Sequence, residues 1–302
     1  MTGITLEEFQ PLLEEVQPRF DAVEQQRLKR EQRKRAPGGG AKPRWDLRGR
    51  LLMTLVWLRL YLTCEAVGVL FDVDKGTVSR YTHPVLLILR DLGADTLGWP
   101  EEAQVLLAGE EPNDAPSEPP PPPSCPDMVA IVDATEQRVE RPQDHATQKA
   151  HYSGKKKAHT RKTQIVVNEK GRVRSVSDSV PGSVHDLALM RQSQVSEQMP
   201  PELSAMGDSG YQGMQDDMPE RSVALPYRAT RGHPLTPEQK LHNHELSRIR
   251  IVVENTLARM KVFRVLRDAF RHAIELYDSI ILAIVGIVNR RMDKQLARLS
   301  TP

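Results

Sequence analysis

Cysteine is almost missing from this chain of 302 residues: there are two, Cys64 and Cys125, far apart and in unlike surroundings. Neither a disulfide framework nor a zinc site can be built from them, which fits a reducing compartment. Long apolar runs are missing as well. The longest, around Leu51 to Leu62 and Ile280 to Val288, are too short, or are broken by Arg59, for a bilayer that needs about 20 residues. The first residues, MTGITLEEF, are acidic and hold no apolar signal core. These absences exclude a disulfide-stapled secreted domain and a membrane protein, and lead to the expectation of a soluble cytoplasmic one.

Charge of neither sign dominates, the formal net being +2 at pH 7, but the average hides segregation. Ten Lys or Arg fall between Arg27 and Arg50 against Glu31 and Asp46, and nine between Lys149 and Arg174 against Glu169 alone. Glu101 to Asp127 carries seven acids and no Lys or Arg. Two separate basic segments suit a polyanionic partner, most simply nucleic acid, or else are solvated faces.

Periodicity predicts a helix from Ile4 to about Arg35, N-capped by Thr5, with Phe9, Leu12, Leu13, Val16 and Phe20 on one face. Its basic tail, RLKREQRKR, runs into the breaker PGGGAKP and either approaches phosphates or forms a free arm. Leu51, Leu52, Leu55, Leu58 and Leu62 then mark a second helix, Thr63 caps a short helix to Phe71, DVD turns, and a further helix opens near Lys75. That last helix carries Lys75, Thr77, Ser79, Arg80 and Tyr81 outward while Val78, Val85 and Leu86 pack inward. The pattern is that of a helix-turn-helix, whose second helix enters the major groove, or of an ordinary three-helix bundle. On the first reading Thr63, Lys75, Thr77, Ser79 and Arg80 are candidate contacts to double-stranded DNA.

Eight prolines between Pro112 and Pro126, in acidic company, predict an extended spacer and a domain boundary near residue 125. Beyond it the pattern changes to strands: Met128 to Val132, a hairpin of Thr163 to Val167 with Val173 to Val180, Leu203 to Met206, and Ser222 to Pro226. A helix capped by Ser183 follows the hairpin, and long helices run from about Thr236 to Val262 and Ile274 to Leu299. This order is an α/β domain in which helices cover a sheet.

Two aspartates end short apolar strands, Asp133 after IV and Asp208 after AMG. Strand ends of α/β sheets are where crevices open, although either residue alone also reads as a turn residue or a cap. In RIRIVVENTLARMK, Arg250, Glu254, Leu257, Ala258 and Lys261 share one helical stripe, with Ile249, Val252, Val253, Thr256 and Met260 over the other faces. A carboxylate on a helix that reads as mostly buried must be paired or hold a metal, the plain alternative being an i,i+4 pair of Glu254 with Arg250. Should Glu254 face both aspartates, the three would repel unless a cation sat among them. All-oxygen donors without cysteine select Mg²⁺ or Mn²⁺.

Residues 50–275 resemble a bacterial insertion-sequence DDE transposase, of the broad group that shares its catalytic domain with PIF/Harbinger transposases. The resemblance is carried by RLYLTCEAVGVLFDVDKGTVSR, DATE, YSGKKKAHTRK, PGSVHD, GDSGY and RIRIVVEN. The group's C-terminal signature is Tyr, two residues, Arg, three residues, Glu, six residues, Lys. Arg250, Glu254 and Lys261 fit it, while Ser247 stands at the tyrosine position. The resemblance implies an α/β RNase H-like catalytic domain preceded by an all-α helix-turn-helix domain, with Asp133, Asp208 and Glu254 holding two Mg²⁺ (or Mn²⁺) ions in the active site. It implies cleavage at terminal inverted repeats and attack of the exposed 3′-hydroxyl on target DNA, by at least a homodimer on DNA, near the bacterial nucleoid. His185 and Asp186 recur beside the site in the family, and Asp186 is the chief rival for a ligand position. Arg250 orients a carboxylate or contacts DNA, Lys261 contacts a phosphate, and Lys155, Lys156 and Lys157 track the DNA backbone.

The implied organisation is an N-terminal helix with basic tail (1–44), a helix-turn-helix domain (45–98), an acidic proline-rich linker (99–126), the catalytic domain (127–272) and a C-terminal helix (273–302). Two alternatives share much of this chemistry: a domesticated nuclease that cuts without joining, and a DNA-binding regulator with an inert second domain.

Overall fold

The structure is a computed structural model that describes residues 2–29, 42–99 and 129–300, with side chains to residue 298. The basic tail beyond Lys29, its breaker to residue 41, and residues 100–128 of the expected linker lie outside the described residues. The chain divides into two units, residues 1–95 with 260–287 and residues 96–259 with 288–302.

The first unit opens with α1 (Leu6–Leu28), which stops short of the expected Arg35. Thr5 and Glu8 form a capping box: the Glu8 N–H donates to the Thr5 hydroxyl and the Thr5 N–H to the Glu8 carboxylate. Phe9, Leu12, Val16 and Phe20 are its buried face. Next, α2 (Leu47–Leu60) is capped by Asp46 and stopped by Tyr61, whose φ of 53° is left-handed. Thr63 caps α3 (Cys64–Phe71), and Asp72 to Asp74 turn the chain into α4 (Lys75–Ala94), where Asp74 accepts from the Thr77 N–H at 2.9 Å. The turn needs glycine at 68, since a Cβ there would stand 2.4 Å from the Val73 carbonyl oxygen. Val78, Val85, Leu86 and Leu89 of α4 are buried.

The second unit is built on β1 (Val129–Arg138), followed by α5 (His145–His151), β2 (Tyr152–Ser153) and β3 (Ala158–Val167). After the expected hairpin to β4 (Val173–Val176) come β5 (Val180–Pro181), α6 (Asp186–Ser193), α7 (Val195–Gln198), β6 (Ser204–Met206), α8 (Met214–Asp217) and β7 (Val223–Ala224). The sheet order is β2-β3-β1-β6-β7, with β4 and β5 also on β3; β1 is antiparallel to β3 and parallel to β6, which is parallel to β7. One face of β1 supplies Ala130 and Val132 to a core with Val166, Met190, Val195, Ala205, Tyr211 and Met214.

Two expectations are corrected here. β1 does not end at Asp133: the antiparallel ladder continues to Arg138 opposite Thr160, because the polar half of β3 supplies backbone partners where the apolar run has stopped. The helix after PGSVHD is not capped by Ser183, because it begins only at Asp186 with His185 at the cap position.

Long α9 (Pro237–Lys261) is fixed to the β3–β4 turn by the buried Thr256 hydroxyl, which donates to the Gly171 carbonyl at 2.8 Å. A short α10 (Arg264–Arg267) and α11 (Tyr277–Ser300) follow. Asn289 of α11 is fully buried and exchanges two 2.9 Å hydrogen bonds with the backbone of Val173, so it replaces a strand partner for β4. Among the described residues no helix is long and apolar enough to cross a membrane.

Residues 260–287 complete the first unit. Arg271 donates its backbone N–H to the Tyr61 hydroxyl at 2.7 Å, and its guanidinium donates to the Tyr61 carbonyl. A Cβ on Gly93 would stand 1.9 Å from the Leu282 carbonyl oxygen, so α4 and α11 touch backbone to backbone. Gly93→Ala must push the two helices apart. It is expected to destabilise the protein by about 1–3 kcal/mol, read as a lower urea midpoint, although alanine is the better helix former.

Candidate active site

The parallel pairing of β1 with β6 ends at Ile131 opposite Met206, and Asp133 and Asp208 each follow two residues later. The sheet thus brings two carboxylates out beside each other at one edge of the parallel pair. Each is held by local backbone: Asp133 accepts from the Ala134 N–H at 2.8 Å, and Asp208 from the Gly210 N–H at 2.7 Å as it caps the 3-10 turn Ser209–Tyr211. A Cβ at Gly210 would stand 2.5 Å from Asp186 Oδ2 and 2.9 Å from Asp208 Oδ1. Asp186, at the start of α6, therefore shares the same corner, and only glycine fits between the two carboxylates.

Burial pushes the Asp133 carboxyl up to about 6; Asp208 and Asp186 add to the rise, while the Ala134 N–H and the Arg250 guanidinium oppose it. Tyr211 is fully buried, its hydroxyl has no hydrogen-bond partner among the described residues, and burial with the same three aspartates holds its pKa well above the phenol value. Arg250 is half-buried with an unpartnered Nε, and both Asp133 and Tyr211 feel its charge. Asp186 also has a cation of its own: Lys162 Nζ lies 2.7 Å from it and 3.6 Å from Glu136. Glu136, Lys162, Gly210 and Tyr211 lie within DATE, YSGKKKAHTRK and GDSGY, but no role for them is read from the sequence. The register that sets Glu136 opposite Lys162 is the signal that could have found the first two.

Glu254 is placed differently from its two expected partners. Its side chain is exposed on α9, so the expectation of a buried carboxylate is overturned. The reason is that α9 buries Val253, Thr256, Leu257 and Met260 and turns its other faces to solvent, with Ile249 and Ile251 42% and 52% exposed. The charges acting most strongly on Asp133 are Asp208, Arg250 and Asp186, and Glu254 is not among them. Lys261 is half-buried at the end of α9 and falls in the first unit. His185 is exposed and makes no side-chain cap bond. Lys155, Lys156 and Lys157 are exposed in the β2–β3 turn, whereas Arg161 and Lys162 of the same basic segment face inward, Arg161 bonding Ser179.

In the first unit Lys75, Ser79 and Arg80 are exposed on α4. Lys75 pairs with Glu65 at 3.2 Å, and Arg80 donates to the Thr77 hydroxyl at 2.7 Å. The Thr63 hydroxyl is engaged as the α3 cap, accepting from the Ala66 N–H at 3.3 Å. A groove beside α4 is lined by Arg27, Lys42, Arg50, Arg80, His83 and Arg90 among others.

The aspartate corner fits a hard divalent cation. Its donors are carboxylate oxygens; burial first, and the neighbouring Asp208 and Asp186 after it, disfavour the charge on Asp133, and a divalent ion at the corner would offset both. Among the described residues no three Asp, Glu, His or Cys side chains are gathered as a complete ligand set.

A helix-turn-helix in one unit, and in the other a mixed sheet with two aspartates just past the end of its parallel β1–β6 pairing, define a DNA-processing enzyme. A family model described as "DDE superfamily endonuclease" matches residues 132–289, and one described as "Helix-turn-helix of DDE superfamily endonuclease" matches residues 45–95. The chain belongs to this family: it is a DNA endonuclease of the DDE transposase kind. It is also 28% identical over 259 residues to the probable transposase for insertion sequence element IS702 from Microchaete diplosiphon, covering 86% of this chain and 85% of that one.

The raised pKa of Asp133 has a sign. A carboxyl whose folded value, about 6, exceeds its unfolded value of 3.8 contributes stability below 3.8 that is lost as pH rises through 6. The two-unit shift corresponds to at most about 3 kcal/mol. Metal-free Asp133→Asn is therefore expected to melt above wild type at pH 7.5, with the difference shrinking toward pH 4, and Mg²⁺ is expected to raise the melting temperature of wild type alone.

Proposed function

We propose that the chain is the transposase of a bacterial insertion element: it binds the element's terminal inverted repeats, cleaves DNA there and joins the 3′-hydroxyl to target DNA. The observation that carries this reading is that Asp133 and Asp208 each follow by two residues the point where the parallel pairing of β1 with β6 ends, in a chain whose other unit is a helix-turn-helix. The sheet order, with β1 central, antiparallel β3 on one side and parallel β6 and β7 on the other, supports an RNase H-like fold. The working division is residues 1–44, 45–98, 99–126, 127–272 and 273–302, with catalysis in 127–272.

In this reading Asp133, Asp208 and Glu254 hold two Mg²⁺ or Mn²⁺ ions. When bound, such ions activate the attacking water or 3′-hydroxyl and stabilise the departing 3′-oxygen of an in-line displacement. The chain's own residues do the rest. The Ala134 and Gly210 N–H groups fix the two aspartates against rotation. Arg250 balances Asp133 while the corner is empty of DNA, and its guanidinium is the group that would meet a phosphate oxygen there. Glu254 joins the aspartates when α9 is drawn to bound DNA, with Lys261 on a phosphate. Lys155, Lys156 and Lys157, and on α4 Lys75, Thr77, Ser79 and Arg80, contact DNA, Thr63 setting α3 against the backbone. Two ends are joined in one reaction, so at least a homodimer acts on DNA, at the nucleoid.

A strand-transfer assay with Mg²⁺, the element's own ends and a plasmid target tests the proposal, and specific end binding without any joined product would sink it. Asp133→Ala, Asp208→Ala and Glu254→Ala are each expected to abolish cleavage and leave end binding within about twofold in a mobility-shift assay. Cleavage by Glu254→Ala at the wild-type rate would remove that residue from the set. Arg80→Ala is expected to lose roughly tenfold or more in its preference for terminal repeats over random DNA, in line with about 1–3 kcal/mol for a base contact.

A further inference from the structure

The ammonium of Lys162 takes no part in the steps above, yet it is the most deeply set cation near the aspartates, its side chain 8% exposed. It stands on β3 opposite Glu136 of β1, donates to Asp186 Oδ1 at 2.7 Å and to the Val184 carbonyl at 2.6 Å, and lies 3.6 Å from Glu136 Oε1. The other Glu136 oxygen accepts from the Thr160 hydroxyl at 2.9 Å. Thr160 in turn abuts Gly182, where a Cβ would stand 1.8 Å from its hydroxyl. The PGSVHD loop is thus pressed onto β3 from two sides, and its last residue, Asp186, meets Gly210 beside Asp208.

We propose that Lys162 is a positioning residue of the catalytic centre, a resident cation that holds Asp186 in place and keeps it from ligating metal. The inference rests on the reading that Asp133 and Asp208 are metal-binding aspartates. Its physical basis is competition: an ammonium at hydrogen-bond distance occupies Asp186 Oδ1 and repels a divalent ion from it. The same charge balances Glu136, which would otherwise be a second unpaired carboxylate in the interior. Of the two rivals for the second aspartate position, Asp186 is already in use.

The test is Mn²⁺ binding to the full-length, metal-free protein without DNA, followed by loss of the free Mn²⁺ signal in electron paramagnetic resonance. Asp133→Asn and Asp208→Asn are expected to weaken binding roughly tenfold or more. Asp186→Asn, which still accepts from Lys162, is expected to stay within about threefold of wild type. Lys162→Met frees a carboxylate beside the corner and is expected to tighten binding roughly tenfold, with Lys162→Arg closer to wild type. Loss of binding in Asp186→Asn equal to that in Asp133→Asn, or wild-type affinity in folded Lys162→Met, overturns the proposal. If Lys162→Met does not fold, Glu136→Gln, Lys162→Met and Asp186→Asn combined remove both anions with the cation. Wild-type Mn²⁺ affinity of that variant supports the proposal and loss of affinity overturns it. Unchanged binding in both Asp133→Asn and Asp208→Asn is a separate result, which defeats the reading of the site itself.

Discussion

Carboxylates repel, and the second unit is arranged so that they cannot move apart. Asp133 and Asp208 are fixed by the register of two parallel strands, and Asp186 by the first turn of a helix that a glycine allows to approach. On Asp133 this repulsion adds to the larger effect of burial, and together they push its carboxyl to about 6. The repulsion is contained by donors that bind the ionised form: two backbone N–H groups, the half-buried Arg250 and the buried Lys162. Net negative potential is left at one corner of the sheet, as an enzyme that recruits a cation there requires. The GDSGY stretch has the same explanation. Its second glycine gives way to Asp186, and its tyrosine is buried near the three aspartates with a hydroxyl that has no partner among the described residues.

The helix-turn-helix balances its charges differently, in the open. Lys75 and Arg80 are held by Glu65, Asp74 and the Thr77 hydroxyl, all exposed and screened by water. These pairs are weak, and they keep the side chains gathered on one face of α4. Arg50, by contrast, is stacked 4.4 Å over the Tyr81 ring and is committed to the fold.

Much of this was legible in the sequence, and the reasons differ by element. The capped helices α1 and α3 announce themselves through Thr5 and Thr63, because capping is local chemistry. Asp133 and Asp208 were visible because apolar runs end just before them. The extent of β1 was not, since its polar half is strand only by virtue of β3. Lys162 was hidden inside a basic run that reads as a surface segment, and only the ladder shows that it points inward opposite Glu136. Helical periodicity placed Glu254 on a stripe with Arg250 but could not say which stripe the sheet would cover.

The first unit is discontinuous: α1 to α4 are joined by residues 260–287, with Arg271 clasping Tyr61 and α11 lying against Gly93. During synthesis those residues leave the ribosome only after the whole sheet of the second unit has been made. A nascent chain therefore carries an unfinished DNA reader until the part that cuts already exists. A ribosome that stalls within the second unit releases a fragment with the recognition helix but without the strap that seats it.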